Sequence, residues 1–455
     1  METSYIEDTI NEILIFSWFR YMTENKKSAN PWKPEDEREH FPSVIEWWCA
    51  EAFFKTVEDD NQWSLKTNFT EWNEKSSIGS VYHSTVFDQS SNKIYSYYSR
   101  NEKEKLKSVD SRFEIQYDDS VIKGQYPNYN ISINDKKNNI QVDAEYKANS
   151  LPHWIAQDVT NGWLPLGLGL YRYGFIPKGD ITGKMTINGK AHTIKGEGYI
   201  EHVWGDFNYS TPMVHIKEIK KTIGVYAKLI GWRIHNYKPK FPNSITFSTE
   251  NNLYGYDWAW ALFDNGWTLY YGNFLFWLMK GPVAGTIILS KDGEKYEEIG
   301  NARFRYLEMK NGKKYDFKYP SEFEFTAEKG KQKLFLKLKM TSDAREYIAR
   351  FPGGKYWIGF VICEAPGIIE GYYVDGDKKT ELKGICKIEP QRQISILGHN
   401  SLKVDFLKPP NGVGISLDLE SHYLKKKIFT QLNFAPKPKI KMELKKINVK
   451  SNRRK

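Results

Sequence analysis

The chain has 455 residues, which is too long for one compact core, so two domains are expected. Charged residues make up 27% of the chain and hydrophobic residues 40%, as in an ordinary globular protein. The aromatic content is unusual, with 15 Trp, 29 Tyr and 25 Phe. It predicts a β-rich protein with bulky cores or a large aromatic cavity.

The net charge of +10 is concentrated at one end of the chain. Residues 401–455 contain 14 Lys and Arg against 4 Asp and Glu, whereas the other residues contain 52 of each sign. This extension could meet anionic lipid or nucleic acid, although we expect it to be a solvated, disordered tail. Helix-turn-helix, zinc-finger and ribonucleoprotein patterns are absent from the sequence, which predicts no nucleic-acid binding by the globular body.

Targeting signals and cysteines point to a cytoplasmic protein. The N-terminus does not resemble a signal peptide, and no apolar run reaches the ~20 residues of a membrane-spanning helix. The three cysteines have neither metal-ligand spacing nor a disulfide framework, which fits a reducing compartment. Peripheral attachment to a membrane stays open as an addition to this location.

In chain order, residues 4–25 have the apolar spacing of an amphipathic helix, which we expect to dock on the body of the protein. We assign 1–38 to this helix and a linker. Short aromatic and β-branched runs separated by turn residues follow from about residue 40, a pattern typical of antiparallel barrels. We place a first barrel at 39–206, a second at 207–395 and the basic extension at 396–455.

One hairpin leads into the most distinctive stretch of the chain. Asn188-Gly189 is a type I′ turn signal, and the returning strand runs through residues 196–207. On that strand Ile200, His202 and Trp204 share one face, while Tyr199 and Glu201 share the other.

Two later segments carry further predictions. Residues 211–253 fit either a basic amphipathic helix or a strand. A strand then begins near residue 256, and it places Tyr256, Trp258 and Trp260 on one face and Asp257 on the other.

Four pieces of the chain, in order, resemble the two-domain lipocalin-like superfamily that includes carotenoid 1,2-hydratase (hydroxyneurosporene synthase) and Diels–Alderase-type cyclases. They are Glu46-Trp47-Trp48, the hairpin ending in Glu201-His202-Val203-Trp204-Gly205, Asp257-Trp258-Ala259-Trp260, and Tyr356-Trp357-Ile358-Gly359 followed by Gly371-Tyr372. The resemblance covers about residues 40–390. It implies two lipocalin-like antiparallel barrels in tandem, an all-β fold, with an apolar isoprenoid or polyene-like ligand bound within or between them.

The resemblance also implies site residues. His202 and Trp204 match family positions, and hydration of an alkene would need an acid, a placed water and aromatic faces that stabilise a cation. The family's proposed acid is an aspartate two residues after a tyrosine, but here Tyr271-Gly272 is followed by Asn273, which cannot donate a proton as an acid does. Asp257 and Glu201 are the substitutes. The predicted ligand-binding residues are Trp47, Tyr199, Tyr256, Trp258, Trp260, Tyr271 and Asn273.

Three functions remain open. The chain hydrates, cyclises or isomerises its ligand, carries it without chemistry, or acts as a membrane-surface accessory protein. We predict no cofactor, because a nucleotide-binding glycine motif is absent. We also predict no metal, because the motif offers His202 only Glu201 nearby, on the opposite face.

Overall fold

A computed structural model describes most of the chain. The described residues are 32–40, 42–74, 77–166, 169–207, 219–237, 243–248, 255–274, 285–299, 302–313, 315, 317–350, 358–395, 399–407, 413–435 and 438–447. The predicted helix over residues 4–25 and the Tyr356-Trp357 pair lie outside them.

Three helices are described. They are a 3₁₀ helix at Pro34–Glu37, α1 at Gln157–Thr160 and α2 at Ile219–Tyr237. Three antiparallel sheets account for the strands.

The first sheet contains β1 to β13. Their bounds are β1 Ile45–Thr56, β2 Gln62–Glu74, β3 Ser77–Asp88, β4 Lys93–Asn101, β5 Lys107–Ser108, β6 Phe113–Tyr117, β7 Ser120–Gln125, β8 Asn128–Asp135, β9 Ile140–Ala148, β10 His153–Trp154, β11 Trp163–Leu166, β12 Gly169–Ile187 and β13 Lys190–Asp206. The spatial order is β4-β3-β2-β1-β13-β12-β9-β8-β7-β6-β5, with β10 and β11 paired to β12. The sheet curls into a half-barrel.

The second curled sheet contains β15 to β24, and a third sheet contains β14 with β25 to β28. Their bounds are β14 Ser244–Ser248, β15 Tyr256–Phe263, β16 Thr268–Phe274, β17 Gly285–Ser290, β18 Tyr296–Glu298, β19 Arg303–Asn311, β20 Lys318–Lys329, β21 Gln332–Met340, β22 Arg345–Arg350, β23 Ile358–Asp375, β24 Lys378–Ser395, β25 Asn400–Leu407, β26 Val413–Ser421, β27 Lys426–Ala435 and β28 Lys439–Lys446. The predicted all-β fold with two lipocalin-like barrels is confirmed.

Alternation along β1 shows how the sequence builds two different surfaces. Trp48, Ala50, Ala52 and Phe54 belong to the core inside the first barrel. The alternate residues face the second barrel, and Phe53 is among those packed in the core shared by the two barrels. A strand of period two therefore carries an aliphatic and aromatic interior on one side and an interface on the other.

The long hairpin of each barrel follows the same plan. Asn188 and Gly189 both have positive φ, as the predicted type I′ turn requires. Gly183 and Gly196 are 13 residues apart, and so are Gly371 and Gly384 in the second barrel. Gly183 and Gly371 have φ of +156° and +155°. The second hairpin thus repeats the first, which gives each position on β13 a counterpart on β24.

Two predictions from the sequence need correction or completion. The expectation of a disordered basic tail is wrong for residues 400–407, 413–435 and 438–446, which form four strands of the third sheet. The alternating apolar residues of these strands pair with one another across the sheet, so the lysines between them do not prevent strand formation. Within the ambiguous segment 211–253, the described residues form helix α2 and strand β14.

The basic residues of α2 contact the protein. Lys221 lies over the Trp163 ring at 4.3 Å, and Arg233 lies 3.9 Å from Glu298. Among the described residues, no helix is both long and apolar enough to cross a bilayer.

We predict that the close approach at Gly196 is essential for stability. A Cβ on Gly196 would lie 2.0 Å from the carbonyl oxygen of Phe53, so Gly196→Ala forces β1 and β13 apart and should lower the free energy of unfolding by about 2 kcal/mol or more. In the control, Gly224→Ala on α2, the Cβ meets nothing within 4 Å and should stabilise the helix by about 0.5–1 kcal/mol. Urea unfolding of both variants tests this, and equal effects would contradict it.

Candidate functional site

The two faces of β13 pack in different cores, one inside the first barrel and one between the barrels. Ile200 belongs to the core inside the first barrel, and His202 and Trp204 share its face. Tyr199 and Val203 belong to the core between the barrels, and Glu201 shares theirs. The predicted alternation is therefore observed, but it separates the predicted catalytic residues into two groups.

On the inner face, His202 is bound to Glu46 and to the N-terminal segment. Its Nε2 lies 2.8 Å from Glu46 Oε1, and its Nδ1 lies 2.7 Å from the carbonyl oxygen of Asp36. Both ring nitrogens therefore lie within hydrogen-bond distance of an oxygen that can accept. Burial lowers the pKa of His202 below its ordinary value, although the hydrogen bond and the charge of Glu46 oppose the shift. Burial would raise the pKa of Glu46, but hydrogen bonds from His202 and His40 outweigh it and lower the pKa.

His40, Glu46 and His202, which we call the inner cluster, have the residue types of a metal site. Their ligand atoms lie within 4.8 Å of one another. The sequence did not reveal the cluster because its members come from the N-terminal segment, β1 and β13. Hydrogen bonds account for its geometry, since Glu46 also accepts from the backbone N–H of His40 at 2.8 Å.

Aromatic stacking closes the inner cluster. His40 stacks on Trp204 with 3.8 Å between ring centroids, and Trp48 stacks on His202 at 4.7 Å. The indole N–H of Trp48 donates to the carbonyl oxygen of Glu37 at 2.9 Å. The inner cluster therefore attaches the 3₁₀ segment to the first barrel.

On the outer face, Glu201 accepts three hydrogen bonds from aromatic side chains. Trp47 Nε1 donates to Oε1 at 3.0 Å, Tyr199 donates to Oε2 at 2.8 Å, and Tyr173 also donates to Oε2. Burial raises the pKa of Glu201, although these donors and the charge of Lys66 oppose the shift. Among the described residues no cation lies within ion-pair distance of this carboxylate. Glu201 is thus a buried carboxyl group that can exchange a proton.

Aromatic rings from both barrels surround Glu201. The centroid of the Tyr199 ring lies 5.6 Å from that of Trp258 and 5.4 Å from that of Trp260. The ring centroids of Tyr173 and Tyr270 are 5.7 Å apart. The ring of Phe175 stacks on Tyr270 at 4.8 Å. We call Trp47, Tyr173, Tyr199, Trp258, Trp260 and Tyr270 the aromatic site. Its faces could contact an apolar or transiently cationic group.

A group of buried charges adjoins the aromatic site. Lys66 Nζ lies 5.8 Å from the centroid of the Trp258 ring and 3.2 Å from Glu51, and it forms an ion pair with Glu389 of the second barrel. Glu389 in turn accepts a hydrogen bond from Tyr256 at 2.6 Å. Burial raises the pKa of Glu51 to about 7, while Glu389 and Glu51 hold the pKa of Lys66 well above its ordinary value despite burial. This charged region extends the aromatic site.

Glu201 and Glu389 occupy equivalent positions in the two barrels. Each follows the close-packed glycine of its returning strand by five residues, after Gly196 and Gly384 respectively. Each also accepts a hydrogen bond from an aromatic side chain on the neighbouring strand. The donor is Trp47 for Glu201 and Tyr256 for Glu389, and in both cases it lies two residues before the residue that pairs with the glutamate. Of these two carboxyl groups, Lys66 forms an ion pair with Glu389 and, among the described residues, not with Glu201. Of the two equivalent carboxyl groups, Glu201 is therefore the one that has no ion pair among the described residues.

The remaining predicted residues are divided between the interface and the second barrel's interior. Trp47 and Tyr256 pack against the core between the barrels. Asp257 is buried inside the second barrel, where it pairs with Arg392 at 2.7 Å and accepts a hydrogen bond from Tyr306. Tyr271 stacks on Phe325 at 4.8 Å in the same interior. The side chain of Asn273 lies outside the described part of the structure.

The sequence analysis did not identify Tyr173, Lys66, Glu51 or Glu389. Strand alternation could have placed Glu51 and Lys66 on the outer face of their strands, but an outer face of a barrel usually meets solvent. Only the position of the second barrel makes these charges buried.

Comparisons with known proteins support the fold. No family model and no curated protein sequence matches the chain. A solved structure of a Nitrosomonas europaea protein assigned as AttH superposes on 80% of this chain and 98% of its own, with a TM-score of 0.54 and 13% identity. Kievitone hydratase from Nectria haematococca superposes on 82% of this chain and 95% of its own, with a TM-score of 0.55 and 11% identity. The resemblance to the lipocalin-like superfamily is confirmed at the level of the fold.

The shifted pKa of Glu51 predicts a pH-dependent stability. The folded protein holds this proton with a pKa of about 7, compared with an ordinary value of 4.5, so it binds more protons than the unfolded chain between these values. The contribution of Glu51 to the free energy of unfolding, up to about 3 kcal/mol, should therefore be lost as pH rises from 4.5 through 7.

Urea unfolding at several pH values checks this dependence. Glu51→Gln should flatten the slope over that range, whereas Glu145→Gln, at an exposed position on β9, should keep the wild-type slope. An unchanged slope in Glu51→Gln would contradict the assignment.

Proposed function

We propose that the protein binds an apolar, isoprenoid or polyene-like ligand at the aromatic site and transfers a proton to or from it, so that the ligand is hydrated, cyclised or isomerised. The observation that carries this proposal is Glu201, a buried carboxyl group with a raised pKa and no ion pair among the described residues, surrounded by aromatic rings from both barrels. The fold shared with a protein described as a hydratase is consistent with it.

The chemistry follows from the surroundings of Glu201. In its protonated form the carboxyl group donates a proton to an alkene carbon, and the new positive charge develops beside the faces of Trp258 and Tyr199. The resulting carboxylate is stabilised by the indole N–H of Trp47 and the hydroxyls of Tyr173 and Tyr199. It then accepts a proton from an attacking water in hydration, or from an adjacent carbon in isomerisation or cyclisation.

This assignment gives His202 a supporting role. The His202 ring is on the opposite face of β13 from Glu201, and both its nitrogens are occupied by hydrogen bonds. We propose that the inner cluster positions β13, and that Glu201 performs the proton transfer.

Deuterium incorporation tests the reaction. Any apolar molecule that co-purifies with the protein is extracted, identified by mass spectrometry and returned to the protein in D₂O. Wild type should place deuterium on a carbon of the ligand, and Glu201→Gln should lower that rate about 100-fold or more while ligand binding is kept.

A matched control lies on the same strand. Glu197 forms a partly exposed ion pair with Lys178 at 2.9 Å, so Glu197→Gln should keep the wild-type rate. If wild type retains the ligand but incorporates no deuterium, the protein is a carrier and the proposed reaction is wrong.

A second candidate function is attachment to an anionic membrane, which the third sheet favours. Ile440, Met442 and Leu444 alternate along β28 and are 71%, 68% and 59% exposed. Residues 401–455, which include β28, contain 14 Lys and Arg side chains but only 4 Asp and Glu side chains. An exposed apolar strand within a basic region could insert its side chains among anionic lipids.

Vesicle flotation tests this attachment. The full chain should float with vesicles containing phosphatidylserine, less so at high salt, and a double Ile440→Ser, Met442→Ser variant should lose most of the binding. As a control, Ile368→Ser removes an exposed apolar residue from the second barrel and should float like wild type. Wild-type protein that stays with the unbound fraction would contradict the proposal.

A further inference from the structure

The inner cluster brings together three side chains from separate parts of the chain. His40 follows the 3₁₀ helix, Glu46 lies on β1 and His202 lies on β13. Their ligand atoms are within 4.8 Å of one another. Two imidazoles and one carboxylate form a ligand set that binds Zn²⁺ and similar divalent ions in proteins. The expectation of no metal considered the β13 motif alone, which contains only one of the three residues.

Both histidines approach the same oxygen of Glu46. His40 Nδ1 lies 3.0 Å from Glu46 Oε1, and His202 Nε2 lies 2.8 Å from it. Zn²⁺ binds nitrogen and oxygen at about 2.0–2.2 Å, which separates neighbouring ligand atoms on a tetrahedral ion by about 3.3 Å. The side chains of Glu46 and His202 are 0% and 2% exposed, whereas that of His40 is 24% exposed. A small outward movement of His40 therefore admits an ion and leaves the two buried ligands in place.

The contact between His202 and Glu46 needs a positive charge. The carbonyl oxygen of Asp36, 2.7 Å from His202 Nδ1, can only accept, so Nδ1 carries the proton of the neutral ring. Nε2 is then an acceptor, and it faces a carboxylate oxygen that also accepts. A metal ion between these two atoms satisfies both lone pairs. In the absence of a metal, an additional proton must lie between them.

The hydrogen bonds that fix the geometry of the inner cluster also orient its ligand atoms. A metal-binding histidine commonly donates its other ring N–H to a carbonyl oxygen, as His202 does to Asp36. The Glu46 carboxylate is held by the backbone N–H of His40, which lies 3.0 Å from Oε1 and 2.8 Å from Oε2. Glu71, the cross-strand partner of Glu46 on β2, is also buried. Directly opposite residues on antiparallel strands have Cβ atoms about 4.5–5.5 Å apart, so Glu71 can hold a water bound to the ion.

We propose that the inner cluster binds a divalent transition-metal ion such as Zn²⁺ through His40 Nδ1, Glu46 Oε1 and His202 Nε2, with a water as the fourth ligand. The ion replaces the proton between His202 and Glu46, which leaves to solvent. It joins the N-terminal segment to β1 and β13, so its role is structural. The metal site is independent of the reaction proposed above, because Glu201 lies on the opposite face of β13.

Metal binding by the full chain, without a histidine tag, tests the site. The protein is stripped with a chelator and titrated with Zn²⁺ alone, in competition with a chromophoric chelator. Wild type should bind one ion per chain. His40→Gln removes the most exposed ligand and should weaken the affinity about 100-fold or more, because loss of an outer partner of a ligand already costs about 10–100-fold. As a control, His153→Gln removes another partly buried histidine, which stacks on Tyr296, and should bind like wild type.

Two further measurements test the ligands and the structural role. Saturating Zn²⁺ should slow amide hydrogen exchange of residues 32–40 in wild type by about 10-fold or more, because the ion binds the closed segment and not the opened one. His40→Gln should show no such slowing. Paramagnetic NMR of Co²⁺-loaded wild type should show shifted ring signals from two histidines, a result that requires no variant.

Several results would overturn the proposal. Stripped wild type that binds no Zn²⁺ shows that protons alone occupy the inner cluster. Equal affinities of wild type and His40→Gln, or shifted signals from fewer than two histidines, indicate an adventitious ion only. Binding without slower exchange of residues 32–40 rules out the structural role. Glu201→Gln should bind Zn²⁺ like wild type, so a failure of this proposal is distinguishable from a failure of the proposed reaction.

Discussion

The rest of the structure depends on one constraint: the outer face of the first barrel is buried against the second barrel. The ion pair between Lys66 and Glu389 joins these two faces. A barrel strand normally gives its outer residues to solvent, so charges there cost little. Here the second barrel removes that solvent. Glu51, Lys66, Glu364 and Glu389 must then satisfy one another, and the barrels are held in the one arrangement that brings these partners together. A buried network of this kind favours a unique geometry more than it adds stability.

The repeated hairpin explains why the site is asymmetric. Equivalent strands place Glu201 and Glu389 at the same position of each barrel, each with an aromatic donor beside it. Their surroundings then diverge, because Lys66 reaches Glu389 while hydroxyl and indole donors surround Glu201. Two like carboxyl groups therefore have different environments: an ion pair holds Glu389, whereas uncharged donors bind Glu201.

The inner cluster and the outer site are linked through one strand. The His202 ring attaches β13 to Glu46 and to the 3₁₀ segment, and Glu201 is the preceding residue on the opposite face. A rigid attachment on one side of the strand limits the movement of the carboxyl group on the other. This arrangement gives a physical reason for a histidine beside the acid even though its ring does not face the aromatic site.

Much of the fold could be predicted from local pattern. Period-two alternation separated Glu201 from His202, Asn188-Gly189 specified the type I′ turn, and four ordered motifs indicated the tandem lipocalin-like fold. These features depend on neighbours along the chain or within one hairpin, which the sequence displays directly. The basic C-terminal segment shows a limit of this approach, since its charge suggested disorder while its apolar alternation built a sheet.

Only the tertiary structure decided which residues form the site. Tyr173, Lys66 and Glu389 are far from Glu201 in sequence, and their importance arises from burial by the opposite barrel. Alternation placed Asp257 on the face of β15 opposite Trp258, but only the structure showed that this face lines the interior of the second barrel, where Tyr271 also lies. Sequence determines which face of a strand a side chain occupies, whereas the packing of the two barrels determines what that face meets.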